Sequence, residues 1–575
     1  MKTIRINSGV GTMKRIKRGS AACGKKLLVL GALILTASLA LAQSKISPDL
    51  QTAVTLSSIA SKSALMQSLA SQAGVSTDPS VNVIVQYAAV PSQTNYSTAA
   101  AAGATLTGQF GSFQGASYSI PLSSVGQLVS SDPTISYISL DRPLAGATDY
   151  GDGSQAINLD IAPSLSFDGS GVGVAVIDSG IYSNHNDLKS ANSTSSANSR
   201  VVYSQNFVPG TTSTSDAYGH GTHVAGIIGG NGNNSTCSNC VVAFRGVASN
   251  VKLINLRVLD QNGQGSDSSV IAAIDRAIAL KSTYNIRVIN LSLGRGIYEG
   301  YVQDPLCQAV EKAWKAGIVV VVAAGNYGRD NSFGNQGYGT ITSPGNDPYV
   351  ITVGAMKTMF TDTGADDQIA SYSSKGPSAV DHVVKPDIVA PGNGRVSLLA
   401  STSATLYANN PSTAVPKNYY QTGASSSASS AYYRLSGTSM ATPEVSGTVA
   451  LMLQQNPSLA PDQVKARLMK TASKHFPAYT SYTDPTTQVT YVEQYDIFTV
   501  GAGYLNVAAA LSNTDRASAT AGSALSPTAV YNSSNGTVTL AQGASVVWGG
   551  SVLWGTVCGL GNFGQWQFGT LGLVG

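Results

Sequence analysis

At 575 residues the chain is long enough for several domains, and 43% apolar against 11% charged residues place it among globular proteins with a neutral exterior. Its formal charge of +4 misleads, because eight of its 34 basic residues fall within residues 1–42, which hold no acid. The remaining 26 basic and 30 acidic residues form no basic stripe, which sets nucleic-acid binding aside.

The first element in chain order is a leader. Lys25-Lys26 precedes sixteen residues of L-L-V-L-G-A-L-I-L-T-A-S-L-A-L-A that end in Ala40-Leu41-Ala42. A basic region, a short apolar run and a small-x-small end predict a secretory signal cleaved after about Ala42. The run is short for a permanent membrane anchor. Met13 offers an alternative start. Export also suits the 60 glycines and abundant Ser, Thr and Asn, which predict many turns.

Residues 43–80 read as a Ser/Ala-rich linker with a short helix. V-N-V-I-V-Q-Y (Val81 to Tyr87) alternates like a half-buried strand. With the later S-F-Q-G-A-S-Y-S-I-P, L-S-S-V-G-Q-L-V and T-I-S-Y-I-S-L, it predicts a small α+β unit ending near Arg142. A Gly/Ala/Asp-rich break follows over about 143–155.

From residue 171 the pattern changes to short, wholly apolar runs separated by helix-length segments. G-V-G-V-A-V-I-D, V-K-L-I-N-L-R-V-L, R-V-I-N-L-S-L, G-I-V-V-V-V-A-A and Y-V-I-T-V-G-A are apolar on both faces. Such runs predict an α/β fold, a parallel sheet with helices on both faces. An open parallel sheet carries its site at the carboxyl ends of its strands. Asp178, Ser292-Leu293-Gly294 and Gly325-Asn326 all follow such runs.

Cysteine usage is sparse: Cys23 lies in the leader, and Cys237, Cys240, Cys307 and Cys558 remain. C-S-N-C (Cys237 to Cys240) admits a local disulfide, half of a metal site or a redox pair. Zinc needs about four ligands and no second Cys/His cluster exists, so in an exported chain the local disulfide is expected.

Attack on an amide carbonyl needs a nucleophile, a base, an orienter for that base and donors for the oxyanion. The chain offers five histidines: His185, His220, His223, His382 and His475. G-H-G-T-H-V-A-G sets His220 and His223 at the start of an apolar helix, and Asp178 in V-A-V-I-D-S-G ends a buried strand, where a carboxylate needs a partner. S-G-T-S-M-A-T-P sets Ser439 at a helix start, where the dipole and free N–H groups favour an anion. Pro443 removes the N–H that would bond back to the Ser439 carbonyl.

In the order Asp178, His220, Ser439 these three motifs resemble the subtilisin family of serine proteases, over about residues 155–512. The resemblance implies a serine endopeptidase with Ser439 as nucleophile, His220 as base and Asp178 as orienter. Asn326 in V-V-A-A-G-N matches the family's oxyanion asparagine. The resemblance also implies that Ser292, Leu293 and Gly294 pair with the substrate backbone. Ala323, Ala324 and Gly325 would line a side-chain pocket of broad, apolar preference. It implies no cofactor for catalysis, with a structural calcium at Asp187 in H-N-D-L. Protein or peptide substrates and a monomeric enzyme are expected.

With the leader as a signal peptide (1–42), the resemblance implies a linker and an inhibitory, chaperoning propeptide (43–145) and a catalytic domain (150–512), followed by a Gly/Trp-rich extension (513–575) whose S-V-V-W-G-G and S-V-L-W-G-T repeat within 545–556. Self-cleavage of this zymogen is expected between about Leu140 and Gln155. Two departures stand out. Glu444 occupies a position on the nucleophile's helix where the family usually has histidine. A Ser/Tyr/Ala-rich stretch between Gly392 and Gly437 is longer than usual and reads as a surface or disordered loop. A non-catalytic member of the same fold is the rival reading, against which the four intact site residues weigh. A lipase-like hydrolase lacks its G-x-S-x-G elbow around Ser439.

Overall fold

The computed structural model describes residues 45–63, 66–68, 75–147, 167–235, 243–359, 366–485, 487–532, 534 and 537–541. The leader, the Cys237–Cys240 pair and the 545–556 repeats lie outside the described residues.

An α+β unit comes first. Helix α1 (Pro48–Lys62), strand β1 (Ser80–Tyr87), α2 (Gln93–Ala101), β2 (Thr105–Phe110), β3 (Gly115–Pro121), α3 (Val125–Ser131) and β4 (Ile135–Leu140) follow one another. The strands form an antiparallel sheet in the order β2-β3-β1-β4. One face of β1 turns Val83, Val85 and Tyr87 into a core of their own with Leu50, Tyr118 and Ile138. Ile84 on the opposite face joins the main core of the molecule. Gln86 seals that contact: its Nε2 donates to the Gln303 carbonyl at 2.6 Å and its Oε1 accepts from Gln308 at 2.9 Å.

The main body carries β5 (Pro143–Gly146), β6 (Gly173–Asp178), β7 (Val201–Asn206), α4 (His220–Gly229), β8 (Lys252–Arg257), β9 (Gln264–Ser266), α5 (Asp267–Ala279), β10 (Ile286–Leu291), β11 (Leu293–Gly294), α6 (Pro305–Lys315), β12 (Val319–Ala323), β13 (Ile351–Lys357), β14 (Gln368–Ile369) and β15 (Ile388–Pro391). Its large sheet runs β14-β13-β12-β10-β6-β8-β7, with β15 also on β13. Every pairing is parallel except β13 with β14. The five apolar runs are β6, β8, β10, β12 and β13, and they are almost wholly buried because helices cover both faces. The fold is the expected α/β fold.

The stretch expected as a surface or disordered loop is instead ordered. β16 (Arg395–Leu398), β17 (Ala414–Pro416) and β18 (Ala428–Leu435) form an antiparallel sheet. Burial of Tyr420, Tyr432 and Tyr433 supplies the apolar area that its serines lack. Helix α7 (Thr438–Gln455) then runs through the centre of the body, buried from Thr438 to Leu453. Beyond residue 512 the chain goes on packing. A hairpin pairs Ala529–Asn532 with Thr537–Leu540, placing Ala529 and Val538 beside Val384, Met469 and Phe498.

Candidate active site

Asp178 ends β6, and His220 opens α4 on the adjacent side of the sheet. Gly219, at φ +102°, turns the chain into α4, and a Cβ there would press to 3.2 Å from the Tyr433 hydroxyl. Both side chains are fully buried, and His220 Nδ1 lies 2.7 Å from Asp178 Oδ1. Burial pulls the imidazolium down, but the Asp178 carboxylate and its hydrogen bond outweigh that and hold His220 above its ordinary 6.5. Nε2 of His220 has no hydrogen-bond partner among the described residues. The ring is thus anchored through Nδ1 and free to exchange a proton at Nε2.

Two residues not anticipated from the motifs hold this pair. Asp216 is buried and accepts from the backbone N–H of Gly219 (2.6 Å) and Thr222 (2.8 Å) and from Ser179 Oγ (2.8 Å). It satisfies amides at the start of α4, as an acidic residue before a helix can. Ser179 Oγ also accepts from Gly221 N–H at 2.9 Å, tying the end of β6 to the first turn of α4. Only the D-x-x-G-H spacing of Asp216 hinted at this.

His223 is not part of the pair. Burial, with His220 close by, pushes it down to about 3. Its Nε2 donates to the Arg395 carbonyl at 3.1 Å, and its ring meets Tyr433 edge-on. His185 is also buried, its Nε2 3.0 Å from the Ala431 carbonyl.

Ser439 lies in the first turn of α7. Its Oγ donates to the Ser292 carbonyl at 2.9 Å. The Ser439 carbonyl, deprived of a partner by Pro443, accepts from Ser292 Oγ at 2.9 Å. Asn326 follows Gly325 after β12. Its Oδ1 accepts from the N–H and Oγ1 of Thr438, both at 3.0 Å. Thr438 Oγ1 in turn accepts from Gly325 N–H at 3.2 Å. These contacts fix which way the amide points: Nδ2 is buried with no partner among the described residues. A buried donor left unpaired is costly unless it awaits an acceptor. Glu444, the departure on α7, pairs with Arg395 of β16, both nearly fully buried. Burial raises the Glu444 carboxyl and Arg395 offsets this only in part.

The site is filled by the chain itself. β5 lies antiparallel between β11 and β9, with Ala145 opposite Gly294 and Gln264, and Gly146 opposite Leu293. At its end, Ala147 N–H donates to the Ser292 carbonyl at 3.2 Å, and the Ala147 carbonyl accepts from Ser439 N–H at 3.4 Å. A Cβ on Gly146 would lie 3.6 Å from the His220 ring. Segment 143–147 thus threads between His220 and Ser439 with one carbonyl on a backbone donor. Ser292, Leu293 and Gly294 all border it, and β9 is a second edge that its short, polar sequence concealed. Ala323 and Ala324 are buried, and Gly325, at φ +106°, carries the chain on to Asn326.

Among the described residues, those at Asp187 do not fit a calcium ion, which takes six to eight oxygen ligands. Asp187 Oδ1 accepts from Asn234 N–H at 2.8 Å and Oδ2 from the Tyr432 hydroxyl at 2.5 Å. Arg200 donates to the Asp187 carbonyl at 2.6 Å, and Lys189 Nζ to Asn186 Oδ1 and the Thr194 carbonyl. Two built-in cations already serve the oxygens of this corner. Among the described residues no group of three His, Cys, Asp or Glu side chains could hold a metal.

Comparison with known proteins agrees with this geometry. Residues 169–495 match the subtilase family. Serine protease AprX of Bacillus subtilis (strain 168) is 35% identical over 375 residues, 64% of this chain and 76% of AprX. Subtilisin DY of Bacillus licheniformis is 33% identical over 321 residues, 56% of this chain and 90% of that protein. Among solved structures, fervidolysin from Fervidobacterium pennivorans, a keratinolytic enzyme related to subtilisin, shares the fold at a TM-score of 0.53 and 20% identity. That match covers 76% of this chain and 61% of the fervidolysin chain.

Proposed function

The chain belongs to the subtilase family of serine endopeptidases, and from that premise we propose that it is an exported zymogen that cuts itself between Ala147 and Thr148. The observation that carries this reading is the Ala147 carbonyl on the Ser439 N–H, with Ala147 N–H on Ser292.

In this reading Ser439 Oγ turns about χ1 from the Ser292 carbonyl toward His220 Nε2, surrenders its proton there and attacks the Ala147 carbonyl carbon. The oxyanion gathers the Ser439 N–H and the unpaired Nδ2 of Asn326 as its two donors. Asp178 stabilises the imidazolium without taking its proton. His220 then returns the proton to the leaving amine of Thr148, and the Ala147 acyl-enzyme is released by water through the reverse sequence.

The amino-terminal unit would act as the propeptide, since β5 already lies where a substrate strand would pair. Substrates in trans would be proteins or peptides in the same extended pose. The buried Leu144 and the small Gly146 and Ala147 favour apolar and small side chains near the cut.

Intact mass of the full chain beside Ser439→Ala tests the reading. The parent is expected to yield two fragments joined at Ala147–Thr148 in the sequence, and the variant to remain whole. Equal trimming of both, or a junction elsewhere, overturns it.

A further inference from the structure

Arg142 lies one residue before β5, and its carbonyl still accepts from Asp267 N–H at 3.1 Å, so the strand pairing with the enzyme body reaches it. Its guanidinium, 3% exposed, makes a two-pronged contact with Glu299: Nη1 to Oε1 at 2.5 Å and Nη2 to Oε2 at 2.6 Å. The Tyr298 ring covers it, 4.7 Å from Cζ to the ring centroid. Its remaining edge meets Asp49 of α1, at 2.9 Å from Nε and 3.1 Å from Nη2.

The charges around this point are unequal. Within the main body Arg295 is engaged by Asp267 (2.8 Å) and Asp304 (2.9 Å). Glu299 is a third carboxylate beside them, 6% exposed, and Arg142 brings the second guanidinium. Burial and the nearby Asp304 charge push the Glu299 carboxyl up, and the Arg142 guanidinium opposes them by favouring its charged form. A planar fork under an aromatic ring is the geometry that selects Arg over Lys.

Building on the Ala147–Thr148 cut, in which Arg142 is the sixth residue before the bond, we propose that Glu299 and Tyr298 form a subsite that recognises an arginine side chain at that position of protein substrates. Arg142 occupies the subsite in the zymogen, and its departure with the propeptide leaves the subsite to substrates. The active enzyme therefore prefers extended chains with arginine six residues before the cut bond.

Processed enzyme is given two quenched fluorescent peptides built on its own sequence, Arg-Pro-Leu-Ala-Gly-Ala-Thr-Asp and the same peptide with Gln first. The Arg peptide is expected to show kcat/KM roughly tenfold higher, the effect of one charge-assisted bidentate contact. Glu299→Gln is expected to shrink that ratio toward one. Amino-terminal sequencing of the processed enzyme separates the two readings. A start at Thr148 with equal kcat/KM on both peptides overturns the arginine subsite alone. A start elsewhere overturns the cut assignment and the subsite with it.

Discussion

Ser292 and Ser439 exchange hydrogen bonds: each hydroxyl donates to the other's carbonyl at 2.9 Å. One bond repairs the gap that Pro443 leaves in α7, and the other parks the reactive hydroxyl. The Ser292 carbonyl also receives Ala147 N–H, so a single peptide unit orders both nucleophile and substrate.

Ser292→Ala therefore strands the Ser439 carbonyl in the core. We expect a loss of about 1–3 kcal/mol in stability, the cost of a buried unpaired acceptor. A drop in kcat larger than any rise in KM should accompany it. Urea unfolding in a Ser439→Ala background gives the first quantity and steady-state kinetics the second; an unchanged midpoint would contradict the assignment.

Asn326→Ala should slow self-cleavage by about 10²–10³, the usual loss for one oxyanion donor. Thr438→Val, which removes one of the two donors to Asn326 Oδ1 and keeps the backbone N–H, should fall between that variant and the parent. Processing rates in refolded full chain measure both.

Glu444→Ala leaves the Arg395 guanidinium buried without its partner, which should destabilise by about 3–5 kcal/mol. Replacing both, as Arg395→Met with Glu444→Leu, should recover most of that. Denaturant titration decides, and a single variant within about 1 kcal/mol of the parent would show that the pair contributes little.

Cleavage requires neutral His220, so kcat/KM should rise with pH through a single step centred above the ordinary 6.5. His223, held down to about 3, stays neutral throughout and adds no second step. Asp178→Asn removes the charge that opposes burial, so the step should move to lower pH while the rate falls by about 10⁴. A parent step below 6.5 would count against the pairing.

At Asp187, chelator should leave the melting temperature unchanged, whereas Tyr432→Phe should lower stability by about 1–3 kcal/mol through a lost donor to a buried carboxylate. Calorimetry with and without calcium reads out both; a large calcium-dependent rise would reverse the conclusion.

The parallel sheet was legible because strands buried on both faces must be apolar throughout, and β6, β10 and β12 are. Asp178, His220 and Ser439 were legible through the joint resemblance of their three motifs, in that order, to the subtilisin family, since D-S-G or H-G-T-H taken singly is a common turn or helix entry. Glu444 stood out as a departure, but nothing near it in sequence announced Arg395, 49 residues away. β9 escaped notice because three residues of Gln-Gly-Ser have no period to read. The β16–β18 sheet was hidden by a Ser/Ala-rich sequence whose Ser397 and Ser429 are in fact buried, and its tyrosines reach Asp187, Gly219 and His223. Pairings made over long separations follow from the fold and leave little local trace.

The position of β5 between β9 and β11 has a consequence for timing. Before the cut the amino-terminal unit is covalently attached, so its occupancy of the cleft does not depend on concentration. Once the Ala147–Thr148 bond is broken in the proposed scheme, the unit becomes a separate molecule held by noncovalent contacts, among them Arg142, Gln86, Asp141 on Ser268, Ile84 in the main core and the strand pairing. Its local concentration then falls from that of a tethered group, on the order of millimolar, to that of the surrounding fluid. In that scheme dilution would act as the clock: processed enzyme kept concentrated would stay occupied by the released unit, and enzyme that is diluted would be freed to cut.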